Sequence, residues 1–136
     1  MGTEYILDTN ILIYTLGGND GVLTTLKSLH RGYFFVSALS YFELLVGAKT
    51  LKEENLAIQL LNKCVPLELN KDIMVEAVRM GKEQTPKLKL KDLLIAATAK
   101  VEKLTLVTAD KDFKKIKNLQ IKLIKLGPPG LQHFQH

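Results

Sequence analysis

YILDTNILIY, Tyr5 to Tyr14, is the stretch on which the reading of this chain turns. A short apolar run stops on Asp8, Thr9 and Asn10 follow, and the apolar pattern then resumes through Ile11, Leu12 and Ile13. The first part reads as a buried strand and the second as the start of a helix, broken by GGNDG at 17–21. A carboxylate at the end of a buried strand is costly unless it has a partner or a task. Two uses are open for Asp8: it can cap the helix that follows, or it can carry chemistry at a strand's carboxyl end.

The rest of the chain repeats the alternation. EYIL (4–7), YFFV (33–36), CVPLEL (64–69), LTLVT (104–108) and QIKLIKL (120–126) read as strands. Between them lie helical patterns at 10–16, 22–32 (leucines at 23, 26 and 29, closed by Gly32), 53–63, 71–84 and 91–103. Ser37 stands where an N-cap belongs and opens another helix through Gly47. Pro66 places CVPLEL at a sheet edge, because proline cannot donate to a ladder. DKDFKKI (110–116) reads as a short helix or turn. Strands alternating with helices predict a parallel sheet covered on both faces and joined by right-handed crossovers. LGPPG (126–130) closes the fold, so residues 1–130 form one domain and 131–136 a loose tail.

Composition limits the function classes. With 46% hydrophobic residues in 136, the chain can build a real core. Its one cysteine, Cys64, excludes an intramolecular disulfide and a Cys-based zinc site. No basic n-region precedes an apolar h-region, and no apolar run approaches the ~18 residues of a membrane span, so the expected location is the cytoplasm, with no membrane partner. The net charge of +5 favours a polyanionic partner.

Against that basic background, four acids stand at apolar boundaries: Asp8, Glu43, Asp92 and Asp110. Asp110 and Asp112 follow the strand 104–108, so if that strand neighbours 4–7, Asp8 and Asp110 share one crevice. Glu43 shares a helix face with Ser40 and Gly47, and Asp92 shares one with Ala96 and Ala99. Each acid alone has a plain structural use: a cap for Asp8 or Asp110, a macrodipole partner for Asp92, a half-exposed helix edge for Glu43. Together they are harder to place, since two like charges ~4 Å apart repel by about 4 kcal/mol at an effective dielectric of 20. A cation among them removes the difficulty. An all-oxygen donor set suits Mg²⁺ or Mn²⁺ rather than Zn²⁺, and such an ion beside lysines points to phosphodiester hydrolysis. Lys87, Lys89 and Lys91 beside Asp92, and Lys111, Lys114 and Lys115 beside Asp110, are the candidate phosphate contacts, with a solvated surface as their alternative use.

At LDTNILIY (7–14), SALSYFELLVG (37–47), KDLLIAATA (91–99) and LVTADKDF (106–113) the chain resembles the PIN-domain family of metal-dependent ribonucleases, in particular the VapC-type toxins of toxin–antitoxin pairs. The resemblance implies an α/β/α sandwich with a parallel sheet of about five strands in the order 3-2-1-4-5. By position, Asp8, Glu43, Asp92 and Asp110 match the family's four acids. Asp8, Asp92 and Asp110 then serve as metal ligands, and Glu43 positions or deprotonates the attacking water. Asn10 and Thr108 support the site, and Asp112 is a candidate for its periphery or for a second metal. The implied activity is Mg²⁺- or Mn²⁺-dependent endoribonuclease, with an RNA substrate, a small antitoxin as partner, and a homodimer as the assembly. Three other readings start from the same residues, the first being a housekeeping RNA-processing nuclease of the same family. An aspartyl-phosphate phosphotransfer domain wants a paired acid or an Asp-x-Asp that LDTN does not offer. A silent RNA-binding module gains nothing from concentrated negative charge.

Overall fold

The computed structural model describes residues 4–29, 33–83 and 88–128. The expected tail at 131–136, Gly32 and Lys87 lie outside the described residues.

Five short strands form the sheet: β1 (Tyr5–Leu7), β2 (Phe34–Ser37), β3 (Cys64–Leu67), β4 (Thr105–Thr108) and β5 (Ile121–Leu123). Their order is β3-β2-β1-β4-β5, and every pairing is parallel. The helices are α1 (Thr9–Leu16), α2 (Asp20–Ser28), α3 (Ala38–Gly47), α4 (Leu51–Leu61), α5 (Lys71–Glu83) and α6 (Leu90–Val101), with a 3₁₀ turn at Lys111–Lys115. This is the sandwich, with the strand order, that the family resemblance implied.

The two faces of the sheet divide the core by the period-2 rule. Ile6 and Leu106 face α5 and α6, together with Ile73, Ala77, Met80 and Ile95. Leu7, Val36 and Val107 face the other way, onto Ile11, Leu12, Val22, Leu44 and Leu61. Both faces are covered, which explains why β4 reads as an unbroken apolar run between two threonines. In α6, six consecutive residues from Leu94 to Ala99 are buried. Alanine at 96, 97 and 99 lets the helix settle between the sheet and α5 without crowding. Pro66 lies on edge strand β3, as its missing N–H requires.

The last strand is shorter than QIKLIKL suggests. After Leu123 the chain leaves the ladder, with Ile124 N–H still donating to the Thr108 carbonyl at 2.8 Å. It then turns to meet the start of α2. The Asn19 amide accepts from Gly127 N–H at 3.0 Å and donates to the Gly127 carbonyl at 2.9 Å. The Asp20 N–H reaches the Pro128 carbonyl at 3.2 Å. This strap, residues 124–128, closes the fold where LGPPG predicts it. Among the described residues, no helix is long and apolar enough to cross a membrane.

Candidate active site

The carboxyl ends of β1 and β4 lie side by side. Leu7 is in register with Val107, and the Asp8 N–H donates to the Val107 carbonyl at 3.0 Å. Asp8 occupies the N-cap position of α1, but its side chain makes no capping hydrogen bond. Its Oδ2 instead accepts from the Thr108 hydroxyl at 2.8 Å. That same hydroxyl oxygen accepts from the Asp110 N–H at 3.0 Å. The order of donation is thereby fixed: the Asp110 amide donates to Thr108, and Thr108 donates to Asp8. Asp8 is 3% exposed, and burial pushes its carboxyl up to about 6, with the Asp92 charge adding to the effect. The Thr108 hydroxyl, the Thr9 amide and Lys91 oppose it.

Asp92 lies in the first turn of α6 and is partly buried. Burial raises its carboxyl, Lys91 and Lys89 pull it back, and the charges of Asp110 and Glu43 raise it further. Asp92 is thus the electrostatic centre of the group: its carboxylate is felt at Asp8, and it feels both Asp110 and Glu43. Glu43 projects from α3. Its Oε1 accepts from the Thr9 hydroxyl at 3.2 Å, and its Oε2 lies 3.3 Å from Lys91 Nζ. Thr9 Oγ1 is also 2.8 Å from Ser40 Oγ, and both hydroxyl residues are buried. Asp110 does cap the 3₁₀ turn, its Oδ1 accepting from the Asp112 N–H at 2.9 Å. Asp112 turns outward to Lys115 at 3.4 Å, with its side chain 60% exposed.

Asn10 is exposed on α1 and, with Tyr14, Ala109, Asp110, Lys111 and Leu126, lines an open groove of about 420 Å³ beside the acids. Lys89 and Lys114 are exposed, and Lys91 is partly so. Among the described residues, no three His, Cys, Asp or Glu side chains are grouped closely enough to hold a metal ion between them.

The family model of the PIN domain matches residues 5–119. The chain belongs to the PIN domain family. A search of curated protein sequences finds no match. The PIN domain's structure is similar to a chain of VapBC2 from Rickettsia felis bound to a promoter DNA fragment, with TM-score 0.80 and 23% identity, covering 90% of this chain and 100% of that one. It is also similar to a chain of a toxin–antitoxin complex from Klebsiella pneumoniae, with TM-score 0.75 and 30% identity over 85% of this chain and 94% of that one. A chain of VapBC-1 from nontypeable Haemophilus influenzae matches with TM-score 0.75 and 24% identity, over 89% and 98%.

Three features of this PIN domain's site escape the sequence. Thr9 falls in the polar triplet that ends the first apolar run, but nothing in the pattern shows that its hydroxyl faces Glu43 rather than its own helix. Lys91 reads as a phosphate contact, yet its ammonium pairs with Glu43 across the gap between α3 and α6. Leu126 reads as part of the last strand, whereas the strap carries it to the edge of the groove. Each depends on a contact between segments far apart in the chain, which no local period encodes.

Proposed function

We propose that this PIN domain is a metal-dependent endoribonuclease that hydrolyses RNA phosphodiester bonds, and that it is the toxin of a VapBC-type pair. The observation that carries the reading is the coupled field of four carboxylates around Asp8 and Asp92 at the carboxyl ends of β1 and β4. Burial raises both carboxyls, and the Lys91 charge pulls both back.

The donor chemistry fits a hard divalent ion. Every candidate ligand is an oxygen, and Mg²⁺ is commonly held by one or two carboxylates with several waters, so a closed protein cage is not required. Asp8, Asp92 and Asp110 would hold Mg²⁺ or Mn²⁺, directly or through water. When bound, the ion supplies Lewis-acid polarisation of the phosphoryl oxygens and acidifies water in its shell.

The chain's own groups do the remaining work. Thr108 holds the Asp8 carboxylate in place through its 2.8 Å hydrogen bond. Thr9, backed by Ser40, holds one Glu43 oxygen, and Glu43 orients the attacking water and takes its proton. Lys91, 3.3 Å from Glu43, pairs with that carboxylate and also contacts the phosphate. Lys89, Lys111 and Lys114 guide the strand, as does Lys115 once it leaves Asp112; Lys87, outside the described residues, is a further candidate. Asn10 supports the rim of the site.

The toxin assignment rests on likeness to chains from toxin–antitoxin complexes, one of them 30% identical. That likeness supports an antitoxin as the partner; a homodimer and a cytoplasmic location are proposed from the family resemblance. The test is incubation of a mixed RNA pool with purified protein in Mg²⁺, Mn²⁺ or chelator, followed by end mapping. Discrete cuts are expected with metal and none with chelator, and Asp8→Asn and Glu43→Gln should lose them. Cuts of equal strength in Asp8→Asn, with contaminating nuclease excluded, would overturn the assignment.

A further inference from the structure

We propose that the groove beside Asp110 seats one unstacked nucleobase of the RNA, with the Tyr14 ring as its stacking surface; this rests on the nuclease reading above and adds the residues that receive the base. Asn10 and Tyr14 are one turn apart on α1, so they share a face, and both line the groove. Leu126 lines it from the strap, 40% exposed, and Ala109, Asp110 and exposed Lys111 line it from the chain after β4. The groove therefore joins an aromatic and aliphatic surface to an amide and an ammonium, next to one carboxylate of the acidic group.

A nucleotide supplies the complement of each part. Its flat base lies against Tyr14 and Leu126, and the base edge carries donors and acceptors for the Asn10 amide. Its phosphate meets Lys111 at the side where Asp110 stands. A base still stacked in a duplex offers only its edges, so a seat built on a ring face selects single-stranded or looped RNA.

The backbone that carries the two apolar walls is tied down. The Tyr14 carbonyl accepts from the Asn19 N–H at 2.9 Å. Leu126 is pinned on both sides: Ile124 is buried and bonded to Thr108, and Gly127 has both backbone groups on the Asn19 amide. The same asparagine thus anchors the carbonyl of Tyr14 and the strap that carries Leu126, which are the two apolar sides of the groove. A preformed seat avoids the ordering cost that a floppy loop would impose on binding.

The test uses oligoribonucleotides with a single mapped cleavage site and an abasic residue placed in turn at each position flanking it. We expect one abasic position to lower kcat/KM by roughly ten- to a hundred-fold with wild type and with Tyr14→Phe, as stacking energies predict. Tyr14→Leu keeps the packing volume but loses the ring. It should lower cleavage of the intact RNA by a similar factor and add nothing on the abasic RNA. The proposal is overturned if no abasic position matters, or if Tyr14→Leu lowers cleavage of intact and abasic RNA equally, as a purely structural role or a groove reserved for a protein partner would require. If wild type cleaves no RNA, the nuclease reading fails by itself, and binding decides the seat. Asp8→Asn protein titrated with uncleaved oligonucleotide should then show upfield shifts of the Tyr14 ring protons that an abasic oligonucleotide does not produce. No shift at saturating oligonucleotide, or no binding at all, sinks the proposal.

Discussion

Asp8 is ionised at a cost, and that cost sets how the metal-free protein responds to pH. Burial raises its carboxyl from 3.8 to about 6. Between those values the folded state holds more protons at this position than the unfolded chain. Its contribution to stability is therefore fully present below about pH 4 and is lost as pH rises through 6. The size is about 3 kcal/mol at most, from two pKa units at about 1.4 kcal/mol each. Asp8→Asn keeps an oxygen to accept from Thr108 and removes the charge. In chelator at pH 7.5 it should be more stable than wild type by about 1–3 kcal/mol, with a flatter profile between pH 4 and 6, measured by urea unfolding. Thr108→Val should do the opposite. It removes the donor to Asp8 and leaves the Asp110 N–H without its acceptor, a loss of about 1–3 kcal/mol, whereas Thr108→Ser retains both bonds. The four acids are legible as a set because each interrupts an apolar pattern in a chain with excess lysine. Their support is not. Asp8 and Asp110 present the same capping alternative in sequence, and only the side-chain directions show that Asp110 caps while Asp8 does not.

At the scale of elements, the strap and α2 define each other. A Cβ placed on Gly21 falls against the Lys125 carbonyl oxygen and lies 2.7 Å from the Gly127 nitrogen, both backbone atoms that cannot rotate away. Gly21→Ala should therefore push the strap off the start of α2, costing about 1–3 kcal/mol. Hydrogen exchange checks it: the Gly127 amide, bonded to Asn19, should lose its protection while the Leu106 amide in β4 keeps its own. The sequence marks this junction from both ends, as GGNDG and as LGPPG, but each reads as an ordinary break. That the two breaks pack against one another follows from where β5 ends. The alternation in QIKLIKL predicts a longer strand, and the bonds to Asn19 draw the chain off the ladder sooner. Periodicity serves better where one element meets one face. Leu94 to Ala99 are buried together because α6 packs on both the sheet and α5, and their small apolar side chains announce it.

At the scale of the whole molecule, the chain carries a net charge of +5, while Asp92 feels the charges of Asp110 and Glu43 as well as those of Lys89 and Lys91. Adding Mg²⁺ or Mn²⁺ at pH 7.5 should therefore stabilise the fold by mass action, by about 2.7 kcal/mol at a hundred times the dissociation constant. That is a rise of several degrees in Tm for a domain of this size. Thermal unfolding of wild type with and without metal measures it, and an Asp8→Asn/Asp92→Asn double variant should show no rise. A wild-type Tm indifferent to millimolar metal would count against the ion site. The sheet order has one more implication. Because β1 lies between β2 and β4, the centre draws on the first tenth of the chain, on α3, and on residues past 100. A ribosome releases Asp8 early and Thr108 and Asp110 late, so a half-made polypeptide holds the first acid with no neighbour to hold it in place. A nascent polypeptide that stops short of Thr108 lacks the hydroxyl that bonds Asp8.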